Sequence, residues 1–159
     1  MKAEKIIDEG INGLGIGVIN TNAEDFKALQ TAIQEHAATQ SPEAILRNKM
    51  LGLRFQMETY LQTEVKEVKE VGFFLKQFLS ELNIRNKTFA KYIGYQESNL
   101  SALFKGRRKI NTDLALKLGK IFRVAPSLWI NIQSKNELIR LEKENSAMYQ
   151  KYKVEDLLS

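Results

Sequence analysis

The stretch that decides the fold runs from Asn86 to Arg108 and reads NKTFAKYIGYQESNLSALFKGRR. Its apolar residues recur at helical spacing on both sides of Gly94: Phe89, Ala90, Ile93, Leu100 and Leu103. Gly94 stands where the chain must turn, because glycine adopts the left-handed backbone conformation that such a turn requires. Two short helices joined by a tight turn are therefore predicted, followed by a basic loop. This is the layout of a helix-turn-helix motif.

Helical patterns continue on both sides of the motif. Pro, Gly and strand-type alternation are too rare for an all-β fold, so we predict an all-α fold. The predicted helices cover residues 23–38, 42–65, 73–83, 86–93, 97–105, 112–122 and 126–145. Trp129 is predicted to lie in the core, and Gly72 is predicted to mark a boundary between the first helices and the dense apolar segment that follows.

The second predicted helix has a strong start and a heptad pattern. Ser41, Pro42 and Glu43 supply an N-cap, a proline at the first helical position and an acid in the first turn. The apolar residues that follow are spaced four, three, four and three apart: Leu46, Met50, Leu53, Met57 and Tyr60. Such a seam suits packing against another helix. It could pack on helix 23–38, on the helix-turn-helix domain or on a second copy. We expect this seam to form an intramolecular hairpin with helix 23–38, and dimerisation is the close second alternative.

Charge is distributed unevenly along the chain. Residues 1–70 hold 8 Lys and Arg against 11 Asp and Glu, whereas residues 71–159 hold 16 against 8. The excess of the second part lies between Lys76 and Arg123, with 11 basic and 3 acidic residues. This asymmetry indicates a nucleic-acid-binding surface on the second part of the chain and a different role for the first. A solvated basic surface is the alternative from charge alone.

Residues for catalysis, cofactors or metals are scarce. The chain has no Cys, which excludes disulfides and fits a reducing cytoplasm. His36 is the only histidine, and no carboxylate stands at ligand spacing from it. The glycine-rich segment Gly10–Gly17 lacks the Lys-Ser/Thr of a phosphate-binding loop. No apolar run approaches membrane-spanning length, and the first ten residues are too charged for a signal peptide. We expect a cytoplasmic protein that is not an enzyme and has no cofactor.

The second motif helix should bury one face and present the other to DNA. Leu100, Leu103 and Phe104 form the predicted buried face. The residues expected to contact base edges are Glu97, Ser98, Asn99 and Ala102. Asn pairs with adenine, Glu accepts from cytosine, and Ala contacts the thymine methyl group. The residues expected to contact phosphates are Asn86, Lys87, Gln96, Ser101, Lys105, Arg107, Arg108 and Lys109. Gln96 also occupies the N-cap position, where it is a weak cap.

Residues 89–133, FAKYIGYQESNLSALFKGRRKINTDLALKLGKIFRVAPSLWINIQ, resemble the Cro/C1 (phage-repressor-like, XRE-like) helix-turn-helix proteins. More narrowly, residues 71–142 are similar to the HigA-type antitoxins of bacterial toxin–antitoxin pairs. The most specific marks are GRRKI at 106–110, LALKL at 114–118 and WINIQ at 129–133. Asn86 and Gln96 depart from the commonest pattern, which has Gln and Ser there, and this puts the operator sequence in doubt more than DNA binding.

The resemblance implies a five-helix lambda-repressor-like domain with an N-terminal helical extension. It also implies a homodimer that binds operator DNA, represses its own operon and neutralises a small ribonuclease toxin. We predict a toxin-binding or dimerising extension at 1–70, a DNA-binding domain at 71–145 and a tail at 146–159 that is partly disordered or ordered by a partner. Deleting residues 1–70 is expected to leave a folded domain. The alternative is a free-standing phage-repressor-like regulator without a toxin.

Overall fold

The structure, a computed structural model, describes residues 24–158, which form α-helices and no strand. The helices are α1 (Glu24–Thr39), α2 (Pro42–Gln62), α3 (Val71–Glu81), α4 (Asn86–Ile93), α5 (Glu97–Phe104), α6 (Thr112–Phe122) and α7 (Pro126–Gln150). A short 3-10 helix, Val154–Leu157, follows α7. The predicted all-α class is confirmed. The prediction for Gly10–Gly17 lies outside the described residues.

Contacts divide the described chain into two compact units, of which the first ends at Ala44 and the second begins at Ile45. The first unit contains α1 and the start of α2. There the Ser41 Oγ accepts a hydrogen bond from the N–H of Ala44 at 3.2 Å. This cap, with Pro42 at the first helical position, confirms the predicted start of α2. The second unit contains the rest of α2 and helices α3 to α7.

The heptad seam of α2 packs into the core of the second unit. Four of its five members are buried in the cluster formed with α3 to α7: Met50, Leu53, Met57 and Tyr60. Leu46 is 38% exposed. Of the three packings considered for this seam, the helix-turn-helix domain is therefore the one that buries it. The predicted domain boundary at residue 70 runs through this unit, because these side chains share one core with the helices that follow.

Polar contacts fasten the end of α2 to α7. The hydroxyl of Tyr60 donates to Asn136 Oδ1 at 2.5 Å and accepts from the N–H of Lys69 at 3.0 Å. Asn136 Nδ2 donates in turn to the Lys69 carbonyl at 2.8 Å, so that both polar atoms of this buried amide are hydrogen-bonded. Lys135 Nζ donates to three carbonyls at the end of α2, those of Tyr60, Leu61 and Thr63. A cation at a helix C-terminus stabilises the unpaired carbonyls there.

An aromatic cluster holds α3, α4, α6 and α7 together. The ring centroid of Phe78 lies 4.6 Å from that of Phe122 and 5.7 Å from that of Trp129. Phe89 of α4 approaches Phe122 at 5.9 Å. The rings of Phe78, Phe122 and Trp129 are fully buried, which confirms the predicted place of Trp129 in the core. Offset aromatic contacts of this kind add stabilisation beyond the area they bury.

Helices α3 to α6 all end with a residue in the left-handed conformation: Asn83, Gly94, Gly106 and Arg123. At each end the next N–H donates to a carbonyl five residues earlier, as Tyr95 does to Ala90 at 2.8 Å and Arg107 to Ala102 at 2.9 Å. These bonds satisfy carbonyls that the helix end leaves free, and they reverse the chain within two residues. The predicted turns at Gly94 and Gly106 are confirmed, whereas the left-handed turn at Arg123 was not predicted.

One prediction near the start of the domain was wrong. Gly72 is a buried residue of α3 and not a boundary, because its missing side chain lets α3 approach α5 closely. Helix α7 runs to Gln150, with a non-helical backbone at Asn145, and so extends beyond the predicted end at residue 145. Leu138 and Leu141 of this helix are 60% and 42% exposed.

Candidate nucleic-acid interface

The two motif helices are held by the helices around them. In α4, Ala90 is buried, as expected for a small residue beside α5. The Ile93 carbonyl at the end of α4 accepts a hydrogen bond from Lys117 Nζ at 3.5 Å, and Lys117 also pairs with Asp113 at 2.8 Å. In α5, Leu100 and Leu103 are each 1% exposed. The predicted burial of both motif helices is therefore confirmed.

Gly72 sets the distance between α3 and α5. A Cβ atom at this position would lie 2.1 Å from the Leu103 carbonyl oxygen and 2.6 Å from the Cα of Phe104. Both are backbone atoms, which cannot move without moving α5. Only glycine permits this approach. The position of α5 is thus determined at its C-terminal end by a residue of α3, a contact that the spacing within the motif does not reveal.

The predicted DNA-contacting residues are all exposed or half-buried, and none lies in the core. Ser98 and Ala102 of α5 and Lys105 directly after it follow one another at intervals of four and three, so they share a stripe opposite the buried Leu100 and Leu103. Glu97 is exposed at one flank of this stripe, and Asn99 is half-buried at the other. Ser101 is half-buried and lies between Glu97 and Lys105, on the same flank of the stripe as Glu97.

The N-termini of the motif helices lack side-chain caps. Gln96 precedes α5 and Arg85 precedes α4, and neither side chain accepts a hydrogen bond from the helix that follows. The predicted weak cap at Gln96 is confirmed. By contrast, Asn111 caps α6 through its Oδ1, which accepts from the N–H of Leu114 at 2.8 Å. The N–H groups at the start of α5 consequently remain available to a phosphate or a base edge.

Three consecutive cations after α5 have different surroundings. The guanidinium of Arg108 lies over the ring of Tyr95, 5.2 Å from its centroid. Lys109 Nζ forms an ion pair with Glu137 of α7 at 2.8 Å. Arg107 is exposed and forms no ion pair with a described residue. The loop therefore offers one unpaired guanidinium, one stacked on the turn of the motif and one ammonium that shares its charge with α7.

A glutamine of α7 holds the end of this loop. Gln133 Oε1 accepts from the N–H of Ile110 at 2.8 Å, and Gln133 Nε2 donates to the Ile110 carbonyl at 3.1 Å. Ile110 is itself buried. Gln133 was part of the WINIQ segment that carried the resemblance, but its role was not predicted. Sequence reasoning also missed Tyr95 as the partner of Arg108 and Glu137 as the partner of Lys109.

Residues 24–158 show neither a metal site nor a membrane-spanning helix. Within that part of the chain, no group of three His, Cys, Asp or Glu side chains is placed to hold a metal ion. None of the helices described there is both long and apolar enough to cross a membrane. The exposed surface of α4, α5 and the loop after it is consequently the strongest candidate site.

Known proteins of one class are similar to this chain. It is 29% identical over 72 residues to the uncharacterized HTH-type transcriptional regulator YddM of Escherichia coli strain K12, over 45% of this chain and 77% of YddM. It is 28% identical over 68 residues to YbaQ of the same strain, over 43% and 60% of the two chains. An HTH-type regulator of Haemophilus influenzae is 27% identical over 86 residues, covering 54% and 76%.

No family model matches the chain, and no solved structure matches it significantly. The relatives are HTH-type transcriptional regulators, and the all-α fold with its helix-turn-helix at α4 and α5 agrees with that class.

Proposed function

We propose that this chain is a sequence-specific DNA-binding transcriptional regulator whose α5 enters the major groove. The observation that carries the proposal is the stripe formed by Ser98 and Ala102 of α5 and by Lys105 directly after it, in which Ser98 and Lys105 are exposed and Ala102 is half-buried. Arg107, two residues later in the chain, is exposed and forms no ion pair with a described residue. Side chains at the start of such a helix contact base edges. Cations around it neutralise phosphates and release counterions. The relatives, all HTH-type regulators, support the same function.

The finer proposal is that the regulator is an antitoxin. In this proposal the protein is a homodimer that represses its own operon through residues 71–145 and neutralises a small ribonuclease toxin through residues 1–70. It is supported by the resemblance of residues 71–142 to HigA-type antitoxins. It is also supported by the acidic balance of residues 1–70, 8 basic against 11 acidic residues, which complements the basic surface of a protein that binds RNA.

The experiment is a gel shift on the DNA upstream of the gene for this protein, with and without the product of the neighbouring gene. Retarded mobility that a scrambled duplex does not compete away supports the regulator. Growth arrest by the neighbouring product, relieved by this protein, supports the antitoxin. If the protein bound the operator but no neighbouring gene encoded a toxin, the result would favour the alternative, a free-standing regulator. Equal binding to the upstream and scrambled duplexes would contradict sequence-specific regulation.

A further inference from the structure

The outer face of α2 carries an exposed aromatic side chain. Phe55 is 68% exposed, and Leu51, one turn earlier, is 45% exposed. The helical positions of Met50, Leu53 and Met57 place the buried seam on the opposite side of α2. A phenylalanine and a leucine that share the solvent side of one helix form the kind of apolar surface that marks an interaction site.

Gly52 lies beside these two side chains, and no close approach of another described residue requires a glycine there. It stands in the middle of α2, where glycine stabilises a helix less than alanine does. A Cβ atom there would meet nothing within 4 Å. Gly72 and Gly106, by contrast, would place a Cβ against neighbouring atoms. Gly52 therefore leaves a shallow depression on the outer face of α2, open to a side chain from outside.

Charged groups flank the same face. Arg54 pairs with Glu58 on α2 at 3.2 Å. Arg47 and Arg123 form no ion pair with a described residue. Together with Met50 and Leu51, these three arginines line a groove of about 220 Å³. This groove has an apolar floor and an excess of positive charge, which an acidic side chain from a partner would complement.

We propose that the outer face of α2 is the interface between two copies of this chain, with their α2 helices packed antiparallel about a two-fold axis near Gly52. Arg47 and Glu58 then lie about 8 Å on either side of the axis, at 1.5 Å per residue, on the same flank of the helix. In an antiparallel pair the same flanks face each other. Each Glu58 consequently meets Arg47 of the second copy, and each Phe55 lies about 3 Å along the helix axis from the level of Gly52 of the second copy.

The self-complementarity of the face favours a second copy over another occupant. An interface around a two-fold axis needs a surface that matches itself, and here a projecting ring stands one turn from a depression and an acid stands opposite a base. Nucleic acid fits poorly, because Phe55 and Leu51 would be covered by phosphates. This inference rests on the proposed function, since it assigns a surface to the dimer that operator binding requires.

The first test measures the mass of the full-length protein by analytical ultracentrifugation without DNA. The wild type is expected to form a dimer, and Phe55→Glu is expected to weaken the dimer by about 30-fold or more. Tyr92→Glu is the matched control, because Tyr92 is 77% exposed on α4, and its dimer should be unchanged. A monomeric wild type, or equal dimers of Phe55→Glu and wild type, would overturn the proposal.

The second test is a charge exchange. Arg47→Glu and Glu58→Arg should each weaken the dimer by about tenfold, because each places like charges opposite one another. The double variant Arg47→Glu with Glu58→Arg should recover most of the loss. Recovery supports the antiparallel register, and a double variant weaker than both single variants would overturn it. Circular dichroism on each variant verifies that the helices are retained.

The interface and the proposed function fail in different measurements. A protein that dimerises through α2 but does not bind its upstream DNA would contradict the function and leave the interface standing. The opposite case is a protein that binds its upstream DNA but dimerises elsewhere. If Leu138→Glu, on α7, abolished the dimer and Phe55→Glu did not, the α2 interface would be overturned and the proposed function would stand.

Discussion

At the scale of single residues, neighbours with the same charge have different roles. Arg107, Arg108 and Lys109 were predicted to contact phosphates alike. The structure leaves Arg107 unpaired, stacks Arg108 on Tyr95 and pairs Lys109 with Glu137. A cation over an aromatic face keeps its charge and hydrogen-bond donors while its position is restricted. Under the proposed function, the two arginines are consequently better placed than Lys109 to contact DNA phosphates.

Replacing Arg107 and Arg108 together by Ala should weaken binding to every duplex. Because each phosphate contact releases condensed counterions, the slope of log K against log salt should flatten by about 2. Fluorescence anisotropy at four or five salt concentrations measures it. Lys143→Ala with Lys151→Ala removes the same charge from the exposed end of the chain and serves as the control. An unchanged slope in the arginine variant would place the loop away from DNA.

Asn99→Ala should lower affinity for the cognate operator by about 1–3 kcal/mol and leave non-specific binding unchanged. The reason is that a bidentate amide contact to adenine exists only at the correct base. Titrations on the operator and on a scrambled duplex at one salt concentration measure both affinities. Equal losses on the two duplexes would argue against base readout by Asn99, which the structure places half-buried at the flank of α5.

At the scale of helices, α5 is positioned by contacts from three other elements. Its body packs on α4, its C-terminal end touches Gly72 of α3, and the loop after it is held by Gln133 of α7. These contacts fix where the stripe of α5 lies. The motif by itself specifies that two helices turn at Gly94, but the position of the second helix in the domain depends on α3 and α7.

Gly72→Ala should destabilise the fold by about 1–3 kcal/mol, as overpacking of a buried site does. The added methyl group would overlap backbone atoms of Leu103 and Phe104, so α3 and α5 must separate. Urea denaturation measures the loss. Ser80→Ala is the control on the same helix, since Ser80 is exposed and a surface change of this kind stays within about 0.5 kcal/mol. Equal stability of the two variants would contradict the close approach of α3 and α5.

At the scale of the whole molecule, residues 45–62 belong to the same compact unit as α3 to α7. Residues 45–62 contribute four buried side chains to the core that also contains the aromatic cluster of α3, α4, α6 and α7. The Tyr60 hydroxyl and the buried amide of Asn136 satisfy each other. Removing one of the two leaves a buried polar group unpaired, which costs more than the bond contributes.

Truncations at two points should therefore differ. A chain that begins at Ser41 retains the cap of α2 and the core. Its free energy of unfolding should therefore lie within about 1 kcal/mol of that of the full chain. A chain that begins at Val71 loses four buried side chains worth roughly 1.5–3 kcal/mol each, comparable with the total stability of a domain. Thermal unfolding by circular dichroism compares them. Equal melting of both would restore the expectation that deletion of residues 1–70 leaves a folded domain.

Much of the fold could be predicted because it is encoded locally. The start of α2 at Ser41 and Pro42, the turn at Gly94 and the cap at Asn111 each depend on one residue's backbone preference or hydrogen bond. The burial of Leu100 and Leu103 was predicted in the same way, from apolar residues at helical spacing, while the DNA contacts of the residues around them stay a prediction.

The sequence by itself thus determined the all-α class, the helix-turn-helix and the basic loop, since periodicity, caps and charge act over a few residues. Only the tertiary structure decided where the seam of α2 is buried, why Gly72 is glycine, and which loop cations are paired. These depend on residues far apart in the chain, such as Tyr60 with Asn136 and Gly72 with Leu103. A local pattern predicts that a side chain is buried or paired, but which residue it contacts depends on how helices far apart in the sequence pack together.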